Sequence, residues 1–227
     1  MLFFYNVYTM VNNPEQSTLV IIIGGPSGTG KTTTAKEIVR YYRTWKDVSA
    51  TLFQPSELLR REAAARGIPL LQRSDYHKAH MVLEQEDPNF MTRRIEQLTQ
   101  NYGVVCIDGL RKYSHAKALK DTFSQPGSLV TYRSSLLEAP DSARHDRVLR
   151  DAERRNRPES VPQNLNDFID SEMPDIQSTY YQMRKVWEMR DAPATPIDTS
   201  HITPWGAAKI IISAVRKDVS GTLIRTS

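Results

Sequence analysis

Gly25, Gly30, Lys31 and Thr32 occupy the fixed positions of a G-x-x-x-x-G-K-[ST] loop. They lie in the run Gly25-Pro26-Ser27-Gly28-Thr29-Gly30-Lys31-Thr32, which follows the apolar stretch Leu19 to Ile23 with one glycine between. These residue types in this order suit the grip of a polyphosphate. Glycines let backbone N–H groups converge on phosphate oxygens with no Cβ in the way. A helix opening near Lys31 adds the positive end of its dipole. Lys31 brings a mobile charge to the β and γ oxygens, and the Thr32 hydroxyl is suited to ligate Mg²⁺. With an apolar strand before it and the helical pattern Thr32 to Val39 after it, the loop reads as a P-loop (Walker A) for a nucleoside triphosphate. Its expected contacts are Gly25, Ser27, Gly28, Thr29, Gly30, Lys31, Thr32 and Thr33, and the cofactors it implies are ATP and Mg²⁺.

Two further stretches carry chemistry. Gly103-Val104-Val105-Cys106-Ile107-Asp108-Gly109-Leu110-Arg111 reads as a buried strand ending in an acid, so that Asp108 would hold Mg²⁺ through its water shell beside Thr32. ATPases that couple hydrolysis to movement commonly carry a water-activating Glu after that acid. This chain has Gly109, which argues for transfer to an acceptor with water kept out. In Arg144-His145-Asp146-Arg147-Val148-Leu149-Arg150-Asp151-Ala152-Glu153-Arg154-Arg155-Asn156-Arg157-Pro158, residues Arg147, Arg150 and Arg154 fall at i, i+3 and i+7. Three guanidiniums on one helix face repel one another, and become useful where that face meets a polyphosphate. The plainer alternative is a solvated face laced by Asp146, Asp151 and Glu153. The five histidines show no metal-ligand spacing and read as surface or hydrogen-bonded groups.

The elements that must position these residues alternate in type. Strands are expected at Leu19–Ile23, Ser49–Phe53, Val104–Ile107, Ser128–Arg133 and Thr195–Asp198. Helical patterns lie at Lys31–Tyr42, Ser56–Arg66, Asp75–Leu83, Pro88–Asn101, Ser114–Phe123, Asp141–Arg155, Asn164–Arg190 and Pro204–Arg216. Such alternation implies an α/β fold, a five-stranded parallel sheet with helices on both faces in three layers, binding ligands at the C-terminal edge of its strands. The stretch from Gln54 to Gly103 is too long for one crossover and predicts a helical lobe over 55–101. Residues 1–17 read as a flexible leader, with Met10 as an alternative start, and 218–227 as a frayed tail after one domain over 18–217. Trp187 and Trp205 fall on helical patterns and are expected in the core.

Composition narrows the class. The chain has 227 residues, 39% hydrophobic and 25% charged, as in ordinary globular domains. Its 30 Lys+Arg against 26 Asp+Glu leave a net charge of +4, mildly basic, and no basic patch interleaved with aromatics stands apart from the arginine run. Nucleic acid is therefore not the expected partner. One cysteine, Cys106, allows neither an internal disulfide nor a Cys-based zinc site and fits a reducing, cytoplasmic setting. No apolar run approaches the ~18 residues of a membrane span. Oligomeric state is left open.

Over about Leu19 to Val215 the chain resembles the nucleoside-monophosphate-kinase-like family of P-loop phosphotransferases. It looks like the adenylate-kinase-like and cytidylate-kinase-like members and the dephospho-CoA-kinase-like nucleotide kinases. Gln54-Pro55-Ser56-Glu57-Leu58-Leu59-Arg60-Arg61-Glu62 resembles the start of the family's acceptor lobe, which implies that Arg60 binds the acceptor phosphate. Glu57 is either helix-cap chemistry or a ribose or base contact. Asp108-Gly109-Leu110-Arg111 resembles the segment bearing the second acceptor-phosphate arginine, here Arg111, without the proline that often precedes it. The arginine run resembles the family's lid, placed at 150–163, with Arg150, Arg155 and Arg157 neutralising charge during transfer. Asp198-Thr199-Ser200-His201 resembles the segment near the adenine pocket. What the resemblance implies is an ATP-dependent transfer of the γ-phosphoryl group to a nucleoside or deoxynucleoside monophosphate. Two alternatives remain: a P-loop kinase acting on a hydroxyl (dephospho-CoA, a polynucleotide 5′-end or a small metabolite), and a low-turnover nucleotide-binding switch.

Overall fold

A computed structural model describes residues 18–70, 73–110, 113–125, 127–154, 161–175 and 196–224. In chain order the elements are β1 (Thr18–Gly24), α1 (Lys31–Trp45), β2 (Ala50–Phe53), α2 (Pro55–Ala65), α3 (Arg73–Glu86), α4 (Phe90–Thr99) and β3 (Val104–Asp108). They continue with α5 (Tyr113–Phe123), β4 (Val130–Glu138), α6 (Asp141–Arg154), α7 (Leu165–Asp175), β5 (Ile197–Asp198) and α8 (Pro204–Ile224). The strands form one parallel sheet in the order β2-β3-β1-β4-β5. β1 is therefore central, with Ile21 opposite Cys106 on one side and Arg133 on the other.

The period-2 geometry of β1 sorts its side chains into two cores, which is what makes the fold three layers. Ile21 and Ile23 pack with Ala35, Ile38 and Tyr42 of α1 and Ala208, Ile211 and Val215 of α8. Val20 and Ile22 face the other way, onto Met91 and Ile95 of α4 and Ala116, Leu119 and Phe123 of α5. Burying each such aliphatic side chain is worth about 1.5–3 kcal/mol, so β1 is held strongly from both faces. Trp205 packs at the margin of the first core, while Trp187 lies outside the described residues.

Two elements run further than the sequence reading has them. β4 begins at Val130 and runs to Glu138, well past the expected end at Arg133. Ser134 and Ser135 break the apolar pattern, yet they continue the ladder opposite Ile22 and Ile23 of β1. α8 extends to Ile224, through most of the segment expected to fray. The stretch expected as a helical lobe is indeed helical, with α2, α3 and α4, and α4 joins the sheet's second core. Of the helix expected over Asn164–Arg190, the portion to Asp175 is described and is helical. Among the described residues no helix is long and apolar enough to cross a membrane.

Cys106 lies in the middle of β3 with no exposure, and burial pushes its thiol well above the ordinary range. The native protein should leave Cys106 unreacted with a thiol reagent at pH 8 and react fully in denaturant. Rapid labelling of the folded chain would contradict this burial.

Candidate functional site

The loop after β1 is shaped by close approaches that only glycine allows. A Cβ on Gly25 (φ 134°) would lie 2.2 Å from the Leu137 carbonyl oxygen, and one on Gly28 (φ 79°) would lie 2.5 Å from the Arg144 carbonyl oxygen. The loop is thus pressed between the end of β4 and the first turn of α6. From Pro26 to Gly30 its backbone carbonyls each meet a donor, as buried carbonyls must. Pro26 O accepts from Thr29 Oγ1 at 2.9 Å and from Lys31 Nζ at 2.7 Å. Ser27 O accepts from Arg144 Nε at 2.9 Å, and Gly28 O from an Arg147 guanidinium nitrogen at 3.2 Å. Thr29 O lies 3.0 Å from the Thr199 hydroxyl, and Gly30 O accepts the Thr34 amide as the first bond of α1.

Arg144 is 2% exposed and makes most of its contacts beneath the loop. Besides Ser27 it pairs with Asp141 and, at 3.2 Å, with Glu172 of α7, and its guanidinium stands 5.3 Å from the centre of the Phe168 ring. His145 stacks on Phe168 at 5.0 Å and meets Pro162 O at 2.7 Å, so Nε2 carries the proton. Arg147 ties two chain segments together: it also donates to Thr199 Oγ1 at 3.1 Å and to Thr199 O at 2.6 Å. The Thr199 amide in turn donates to Glu138 O at 2.8 Å. Next to it, the Ser200 hydroxyl and amide both donate to Asp198 and hold its carboxyl below the usual carboxylate range.

On the opposite side of Lys31, Asp108 ends β3, 8% exposed. Its Oδ2 accepts from Thr32 Oγ1 at 2.5 Å and from Gln54 Nε2 at 3.0 Å. Gln54 caps α2 by position, but its side chain turns to Asp108 instead of the helix amides. The glycine loop held tight against β4 and α6, the lysine held across it, and a hydroxyl–carboxylate pair beside it fit a triphosphate with Mg²⁺. Thr33 is exposed at the start of α1.

The arginine run divides in the structure. Arg147 is half-buried against loop carbonyls and Thr199, while Arg150 and Arg154 are exposed, Arg150 donating to Asp146 O at 3.1 Å. Of the three guanidiniums expected on one face, the first thus braces the loop's underside and the other two stand in solvent. Arg155 and Arg157 lie outside the described residues, as does Arg111. Arg60 and Glu57 are exposed on α2. Sequence reading gave no side-chain role to Arg144 or Gln54, and placed Thr199 only within the segment resembling that near the adenine pocket. Arg144 had one usable signal, its place three residues before Arg147 and therefore on the same helix face.

Truncating Arg144 removes a donor from the loop and the guanidinium that pairs with Asp141 and with buried Glu172. Arg144→Ala should lower unfolding free energy by about 3–5 kcal/mol in a denaturant titration. A loss under about 1 kcal/mol would show that α6 and α7 hold the loop without it.

Comparison with known proteins places this geometry. Among solved structures the chain is similar to the tunicamycin resistance protein of Deinococcus radiodurans, with 17% identity, 87% of this chain and 95% of that one covered, and a TM-score of 0.50. It is also similar to shikimate kinase from Acinetobacter baumannii in complex with shikimate, with 16% identity, 90% and 96% coverage and a TM-score of 0.52. At these identities the likeness shows the fold alone, a fold shared with that shikimate kinase. No curated protein matches the sequence. A family model described as an AAA domain matches residues 24–166, which span β1's last residue, the P-loop, Asp108 and all of α6. By that match, which covers more than half of the chain, the protein belongs to the AAA domain family.

Proposed function

We propose that this protein is a kinase that moves the γ-phosphoryl group of Mg·ATP to a small phosphorylated acceptor, a nucleoside or deoxynucleoside monophosphate. The observation that carries the reading is the position of Asp108. Its carboxylate accepts from Thr32 on the nucleotide side and from Gln54 at the head of α2 on the other. A metal-side acid is thus tied to the helix that bears Arg60 and Glu57. Mg·ATP, when bound, supplies the transferable phosphoryl group and a divalent charge against its oxygens. The loop amides and Lys31 hold the β and γ oxygens, and Thr32 and Asp108 hold the side where the cation belongs. Arg60 and Arg111 take the acceptor phosphate, with Glu57 at its sugar or base. Arg150, Arg155 and Arg157 neutralise charge once the segment over 150–163 closes and water is excluded. Transfer of this kind depends on positioning and charge more than on proton abstraction, so no general base is assigned. Gly109 after Asp108 fits transfer better than hydrolysis-driven movement. A reaction fed by Mg·ATP fits the cytoplasm.

A second reading, transfer to a hydroxyl of a small metabolite, draws on the fold shared with a shikimate-bound kinase. It needs an acid poised as base beside the acceptor. Of the two candidates Asp108 is engaged by Thr32 and Gln54, which leaves Glu57. Abolished turnover in Glu57→Gln with Mg·ATP binding intact would favour this reading.

Coupled ADP release should be strong with one or a few nucleoside monophosphates in a panel that includes dephospho-CoA, small alcohols and a 5′-hydroxyl oligonucleotide. Release confined to the hydroxyl acceptors would overturn the monophosphate assignment. In the active pair Lys31→Ala should lower kcat by about 10²–10³-fold. Arg111→Ala should raise acceptor KM and lower kcat. Unchanged steady-state kinetics in both variants would remove the kinase reading altogether.

A further inference from the structure

We propose that His80, Glu84 and His115 form a binding site for a divalent transition metal of the Zn²⁺ class, where α3 meets α5 outside the nucleotide site. His80 and Glu84 stand four residues apart on α3 and so share a helix face on successive turns. His115 comes from the first turn of α5. His80 Nδ1 is 3.4 Å from Glu84 Oε2, and His115 Nε2 is 3.1 Å from Glu84 Oε1. The three donor atoms all lie within 4.8 Å of one another. A tetrahedral ion with bonds of about 2.0–2.1 Å needs its ligand atoms about 3.3–3.5 Å apart, so the cluster closes on an ion with small side-chain adjustments. The spacing is that of ligands around a common point.

The surroundings suit the same occupant. The two imidazole rings are 5.2 Å apart at their centres, and Phe90 of α4 meets both edge-on, at 5.7 and 6.1 Å. Phe90 thereby walls one side with an apolar surface. The His115 side chain is 4% exposed, while His80 and Glu84 are 12% and 24% exposed. The site is closed from the core and open toward solvent, so an ion has a path in. Two imidazoles and one carboxylate favour Zn²⁺, Co²⁺ or Ni²⁺ over Mg²⁺ or Ca²⁺, whose preferred ligands are oxygens. Three protein ligands leave one position for water or an exogenous donor. The ion would staple α3 to α5, the helix that follows the Asp108 strand, and would fix their relative placement independently of nucleotide. The histidines were read from sequence as having no metal spacing. The pair at i, i+4 was visible there, but its third member comes from a helix beyond β3.

Untagged protein stripped with a chelator and titrated with ZnCl₂ alone should take up one Zn²⁺ with micromolar or tighter affinity, by calorimetry and by dialysis with metal analysis. Zn²⁺ should raise its Tm, and Co²⁺ should give the intense visible absorption of tetrahedral coordination. His115 is buried, so the primary variant is Glu84→Gln, which keeps shape and removes the charge. It should fold as wild type by circular dichroism, weaken Zn²⁺ by at least about tenfold and lose both the Co²⁺ spectrum and the Tm rise. Millimolar Mg²⁺ should leave Zn²⁺ binding unchanged. Equal Zn²⁺ affinity and stoichiometry in the two proteins, or no uptake by wild type, would overturn the site and leave a hydrogen-bonded imidazole–carboxylate cluster.

Discussion

A loop that turns its N–H groups toward one point must turn its carbonyl oxygens away from it, and the structure behind this P-loop answers that requirement. From Pro26 to Gly30 each carbonyl meets a donor. The donors come from the loop itself, from α6, from the turn after β5 and from α1. An unpaired buried carbonyl costs about 1–3 kcal/mol, so five left open would exceed much of a domain's net stability. The sheet order, the packing of α6 under the loop and the position of Thr199 all serve this one condition. The cores on either side of β1 make the platform rigid, and the donors give the loop its curvature.

This condition explains a division of labour among the arginines. Arg144 and Arg147 are consumed by the loop's underside, where a guanidinium's several donors can reach two chain segments at once. Arg150, one turn further, stands in solvent. The same helix therefore starts as scaffold and ends as a candidate for charge neutralisation, with the change falling between Arg147 and Arg150. A helical-wheel argument treats these positions as equivalent. The loop they lie under makes them different.

What could be read from the sequence follows from how local each signal is. The apolar run of β1, the glycines and the Lys31-Thr32 pair are contiguous, and the alternation of strand and helix patterns gave the three-layer sheet. Asp108 was identified by its place at the end of an apolar run. The side-chain contacts of Gln54, Arg144 and Thr199 were not foreseen, because their partners lie 54, 117 and 170 residues away and no periodicity marks them. The end of β4 was obscured for a related reason. Ser134 and Ser135 are polar, and their ladder partners on β1, not their own hydropathy, keep them in the sheet.

The bridge from Arg147 to Thr199 bears on the order in which the chain becomes competent during synthesis. The loop lies at 25–32, yet its last two external donors sit at 147 and 199, and β1's neighbours begin at 104 and 130. A nascent chain emerging from the ribosome can form α1 early, since its backbone hydrogen bonds are local, although the α8 residues it packs against come later. It cannot complete the phosphate cradle until the turn after β5 has left the exit tunnel and closed the last carbonyl. Until residue 199 is out, the signature motif stands as an unfinished surface, its curvature waiting on a hydroxyl that lies 170 residues beyond Thr29.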